Sequence, residues 1–200
     1  MSLETSLLLV IAVAFASNVS PFFGASYTLF ATLQLSELGN TGWNFVLVVV
    51  ASAIGATLAK VAIYYGAFGL RKVIDKNKNV QLIGRNSTRK AFYLVLFLTA
   101  LLPILPLDDF IFIGAGATKA SVRTMTGVTF GAKALKSGVE IPIEFTLLGG
   151  LGDAFGISNV GATLALGATF LVIGIVIYKV DWEKLAGRLR RDSKGKNIGP

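Results

Sequence analysis

The sequence predicts an all-α polytopic membrane protein. Two oppositely oriented re-entrant helical hairpins join about three to four spanning helices as an inverted repeat. Three observations carry this. Hydrophobic residues make up 54% of the 200-residue chain and charged residues 15%, with a mean hydropathy of +0.69, too apolar for an ordinary soluble domain. The apolar stretch Phe97–Arg123 holds Pro103, Pro106, Gly114 and Gly116 around the adjacent carboxylates Asp108 and Asp109. Broken, charged backbone at membrane depth survives only where it is buried in protein or lines a wet cavity. Finally, the basic clusters allow only an even number of crossings between them.

Residues 1–180 read as one transmembrane domain and 181–200 as a basic cytoplasmic tail. No Lys or Arg precedes Lys60, so a secretory signal is not expected. The run Leu7–Ala16 is short, Asn18, Ser20 and Pro21 interrupt it, and Phe22–Leu35 resumes it. This predicts a hairpin over 5–35, with a proline-kinked span as the alternative. A span follows over 43–70, with Trp43, Tyr64 and Tyr65 as interface anchors. Ala51, Gly55 and Ala59 make a small face for close packing. Lys60 lies well inside this run, either facing the interior or snorkelling toward Arg71.

The loop 71–90 carries seven Lys or Arg against one Asp, and 179–200 carries another seven. Both are therefore expected to be cytoplasmic. Three apolar blocks lie between them, so one must return without crossing. The block with the prolines and acids is the choice: a hairpin over 91–118, then spans at 126–150 and 157–178. Lys119 and Arg123 fall inside, and the loop near Gly152–Gly156 outside. A hairpin plus a span thus occurs twice, in opposite senses, and the N-terminus falls outside.

Within 126–150, Lys133, Lys136, Glu140 and Glu144 step along one helical face, with Lys136 and Glu140 able to pair at i,i+4. Pro142 is expected to weaken this helix between the acids. In the tail, Trp182, Leu185 and Leu189 suit an interfacial helix on anionic lipid.

Neighbouring carboxylates in low dielectric favour proton uptake, because both ionise only at a cost. Asp108, Asp109, Glu140 and Glu144 are the proton-responsive candidates. Lys60, Arg123, Lys133 and Lys136 are the groups for an anionic substrate, and Pro21, Pro103, Pro106, Gly114 and Gly116 the expected hairpin breaks. The chain has no Cys and no His, which removes thiolate chemistry and the usual catalytic base. No metal or cofactor is expected. The net charge of +8 sits at the ends of apolar runs, which fits lipid headgroups at the loop and tail rather than nucleic acid. An enzyme alternative is an intramembrane aspartyl protease, because Gly150–Leu151–Gly152–Asp153 spells G-x-G-D and Asp108 or Asp109 could complete a dyad. A non-transporting membrane scaffold is the third class.

The chain also resembles the DedA family, the VTT or SNARE-associated Golgi protein superfamily. The resemblance rests on Asn18-Val-Ser-Pro21, on Gly55 through Tyr64-Tyr65-Gly66-Ala-Phe-Gly69 before a basic loop, and on Leu102-Pro103 through Gly116. It implies facing re-entrant hairpins and movement of polyprenyl phosphates or phospholipids across a bilayer, as a flippase or scramblase with proton coupling. The expected location is the plasma membrane of a prokaryote. The family's first hairpin commonly carries an acid near its proline, and Asn18–Leu33 has none. Its second commonly carries arginines where Asp108 and Asp109 stand here.

Overall fold

The computed structural model describes residues 2–19, 27–74, 81, 83, 90–102, 107–118 and 120–179. Among these the regular structure is entirely helical: α1 (Leu3–Val19), α2 (Tyr27–Leu38), α3 (Gly42–Gly69), α4 (Arg71–Ile74), α5 (Lys90–Leu101), α6 (Leu107–Thr118), α7 (Val122–Phe155) and α8 (Asn159–Lys179). Pro21, Pro103, Pro106, Lys119 and the tail with Trp182, Leu185 and Leu189 lie outside the described residues. Among the described residues one helix, Gly42–Gly69, is long and apolar enough to cross a membrane.

The two longest helices form the centre. α3 starts where Thr41 accepts a hydrogen bond from the Asn44 backbone N–H at 3.2 Å, relieving one of the orphan donors of a helix N-terminus. α7 continues through Pro142, which costs it one backbone hydrogen bond. The proline is exposed, which leaves room for the carbonyl freed at Gly138. The helix also outruns the expected 126–150 and ends at Gly156, whose φ of 64° suits glycine and whose N–H returns to the Gly152 carbonyl at 2.8 Å. The turn near 152–156 is therefore mostly helix.

Around this pair the arms are exchanged. α1 packs on α3 and α5 on α7, whereas α2 packs on both α7 and α3, and α6 reaches across to α3. Direction follows from named contacts. Ile11 and Ala14 meet Gly55 and Asn18 meets Lys60, so α1 runs parallel to α3. Asp109 meets Lys60 and Gly116 meets Tyr64, so α6 also runs parallel to α3. Val48 clusters with Ile141, while Lys60 and Lys133 share Asp108, so α3 and α7 run antiparallel. α2 and α6 are both 12 residues long, and the chain advances by the same 80 residues from Tyr27 to Leu107 as from Gly42 to Val122.

Small residues set the close approaches. A side chain on Gly55 would collide with the Ile11 carbonyl and Ala14, and one on Gly116 with the Tyr64 carbonyl. Gly114, packed against Ile83, and Gly116 both lie within α6. They are points of contact and not breaks in the helix. Tyr64 is not an interface anchor: it is buried, and its hydroxyl donates to the Ala120 carbonyl at 2.7 Å. Trp43 and Tyr65 are exposed.

Large apolar side chains lie on the surface above an interior that holds charged ones. Leu8, Leu58, Phe110, Leu135, Val139 and Ile143 are exposed, while Lys60, Asp108, Asp109, Lys133 and Lys136 are buried. Scattered apolar residues are normal on any surface, but buried charges beneath an apolar exterior are not.

Candidate functional site

Four elements bring the chemistry together. α1 carries Asn18 in its last turn, where it donates to the Ala14 carbonyl at 2.9 Å. α6 begins with Asp108 and Asp109 in its first turn, where the helix dipole favours negative charge. α3 supplies Lys60, two-thirds of the way along its length. α7 supplies Lys133, Lys136, Glu140 and Glu144 on one face, as their spacing predicts.

Lys60 is the hub. Its Nζ is ion-paired with Asp109 Oδ1, lies 3.4 Å from Asp108 Oδ2, and donates to the Asn18 carbonyl at 3.4 Å. Asp108 Oδ2 also lies 3.0 Å from Lys133 Nζ. The two aspartates therefore each have a cation, in place of the mutual repulsion expected from their adjacency. With only 3% of its surface exposed, Lys60 turns inward and does not snorkel. Buried ions of this kind need partners, because the desolvation of an unpaired charge costs several kcal/mol.

The α7 face continues the network. Lys136 Nζ lies 3.8 Å from Glu140 Oε1 and 5.5 Å from the centre of the Tyr27 ring, a cation–π distance. Glu140 retains 24% side-chain exposure. One turn on, Glu144 Oε1 accepts from Thr28 Oγ1 at 2.7 Å, and Glu144 Oε2 lies 2.9 Å from Thr32 Oγ1. The hydroxyls of Tyr27 and Ser137 are buried beside this face.

Of the expected residues, the fold gathers Lys60, Asp108, Asp109, Lys133, Lys136, Glu140 and Glu144. Arg123 does not join them. It is exposed in the first turn of α7, about 15 Å along the helix from Lys133. Asp153 is exposed as well, about 30 Å along α7 from the lysine that holds Asp108. It therefore forms no dyad with Asp108 or Asp109. Among the described residues no group of His, Cys, Asp and Glu could hold a metal ion.

Thr28 and Thr32 escaped the sequence reading, as did Asn18 as a ligand of Lys60. The available signal was the i,i+4 spacing of two threonines in an otherwise apolar run. It is weak, because threonine in a helix ordinarily bonds to the carbonyl four residues back. No family model, curated protein or solved structure matches the chain.

Proposed function

We propose that this chain is a multi-pass membrane transporter for an anionic lipid, a flippase or scramblase of the DedA type for a polyprenyl phosphate or phospholipid, driven or gated by protons. One observation carries the reading. The last turn of α1, at Asn18, and the first turn of α6, at Asp108 and Asp109, meet a buried cluster of lysines and carboxylates under an apolar exterior. Paired half-helices that meet charged groups near the midplane are the architecture of secondary transporters, and intramembrane ionisable residues mark pathways.

In this reading α1–α2 and α5–α6 are the two re-entrant hairpins, and α3, α7 and α8 span the bilayer. The lysines are engaged, so an anionic headgroup must displace a carboxylate to bind. A phosphate competes with Asp108 for Lys60 and Lys133, the two ammonium groups Asp108 bridges. Protonating Asp108 removes its charge and frees both lysines, which links headgroup capture to proton uptake. The groove of about 330 Å³ lined by Leu35, Phe45, Pro142 and Phe145 is apolar enough for an acyl chain. Arg71 and Lys72 continue the reading outward, as contacts for anionic headgroups at the inner surface.

The test is reconstitution of the purified chain into vesicles with a headgroup-labelled anionic phospholipid, or with a polyprenyl phosphate. Labelled lipid should become accessible from the opposite leaflet well above the rate of protein-free vesicles. The rate should fall at least tenfold in Lys60→Met and in Lys133→Met, with Leu135→Ala on the exposed face near wild type. A wild-type rate equal to that of empty vesicles for both lipids would sink the transport reading.

A further inference from the structure

Around an ionised Glu144, two acceptors would lie close to a single hydroxyl hydrogen. Thr32 Oγ1 lies 2.9 Å from the Thr28 carbonyl and 2.9 Å from Glu144 Oε2. A threonine hydroxyl has one hydrogen to give, and a carbonyl and an ionised carboxylate only accept. Thr28 Oγ1 cannot help, because it already donates to Glu144 Oε1 at 2.7 Å. The count closes if Oε2 carries a hydrogen. Oε2–H then donates to Thr32, Thr32 donates to the Thr28 carbonyl, and Thr28 donates to Oε1.

The charge balance of the cluster points the same way. Lys60, Lys133 and Lys136 face Asp108, Asp109, Glu140 and Glu144, three cations against four acids. Lys60 and Lys133 hold the aspartates, and Lys136 holds Glu140. Glu144 is left with two threonines and no cation within ion-pair distance, at 7% exposure. A buried ion without a counter-ion is the arrangement proteins avoid, usually by neutralising it. Facing Glu144 are Glu140 and Lys136 on α7 and Tyr27 on α2. α8, which packs on both helices, brings no acid or base before Tyr178.

We propose that Glu144 rests as the neutral carboxylic acid, with its proton on Oε2, and that this proton clasps α2 to α7. When it leaves, the Oε2–H bond breaks, its electron pair stays on the carboxylate, and the proton passes to water. Two acceptors then compete for the single Thr32 hydrogen, and the cluster carries one uncompensated negative charge. Both effects loosen the inner arm of the first hairpin. The inference deepens the transport reading, since it places the coupling proton on the α2–α7 contact and gives it an arm to release.

Infrared spectroscopy tests this without any transport assay. The full chain in lipid vesicles at neutral pH should show the C=O stretch of a protonated carboxylic acid, sensitive to exchange into D2O. Wild type minus Glu144→Gln should contain that band, and wild type minus Glu140→Gln should not. Glutamine offers the same donor and acceptor, so Glu144→Gln keeps the clasp. Should it nevertheless fail to fold, Thr32→Val keeps the acid, removes its acceptor, and should shift the band to higher frequency. No acid band in wild type, a band unmoved by Glu144→Gln or by Thr32→Val, or a band lost in Glu140→Gln instead, would overturn the assignment. If the band behaves as expected but vesicles show no lipid movement, the proton stands and the transport reading fails.

Discussion

Lys60 shows how much a single buried charge can bind together. Its ammonium touches Asn18 at the end of α1 and both aspartates at the start of α6, so three elements meet at one nitrogen. Removing one partner of a buried ion pair typically destabilises by about 3–5 kcal/mol, because the other charge is left unpaired. Lys60→Met should therefore lower the thermal midpoint in detergent sharply, and adding Asp109→Asn should recover part of the loss. If the double variant is no more stable than the single, the Lys60–Asp109 pair is not what matters. Tyr64→Phe should be milder, about 1 kcal/mol for one hydrogen bond to the Ala120 carbonyl. At this scale the sequence spoke plainly about which residues are chemical and badly about their partners. Asp108 and Asp109 stand out by being acids in an apolar run. Nothing in their adjacency says that Lys60, 48 and 49 residues earlier in the chain, and Lys133 on another helix will neutralise them.

At the scale of elements, glycine placement separates contact from punctuation. Gly55 and Gly116 meet backbone carbonyls of neighbouring helices, whereas Gly131 in α7 faces open space. Gly55→Val and Gly116→Val should each disrupt folding, because overpacked contacts must shift the backbone. Gly131→Ala should stabilise α7 by up to about 1 kcal/mol, the helix-propensity gain of alanine over glycine. Equal tolerance of Gly116→Val and Gly131→Ala, measured as the yield of monodisperse protein, would deny the α3–α6 contact its tightness. The four-residue spacing of Ala51, Gly55 and Ala59 announces a packing face, and α1 occupies it. Gly114 and Gly116 give no comparable signal. A glycine pair beside two prolines reads equally well as a bend or as a close approach, and only the position of Tyr64 and Ile83 decides between them. Pro142 does not end α7: its outward face lets a long helix absorb one lost hydrogen bond.

For the whole molecule, the antiparallel run of α3 and α7 makes a directional prediction. If α3 and α7 cross a bilayer antiparallel, the α2–α3 turn and the start of α7 face opposite compartments. In this cysteine-free chain, Asn40→Cys and Ser121→Cys should react with an impermeant maleimide from opposite sides of oriented vesicles. Ser158→Cys, beyond the end of α7, should side with Asn40→Cys. Labelling of Asn40→Cys and Ser121→Cys from one side would refute the antiparallel crossing. The sequence by itself determined the helical class, because an apolar composition broken by Pro, Gly and charge leaves the backbone little else to form. It also determined the one-sided placement of the α7 charges, since a period of 3.6 residues converts spacing directly into direction. The tertiary structure decided which arm packs on which long helix, which lysine holds which aspartate, and that Glu144 meets two threonines and no cation. These contacts join residues far apart in the chain, and no local periodicity encodes the exchange of arms that brings them within hydrogen-bond distance.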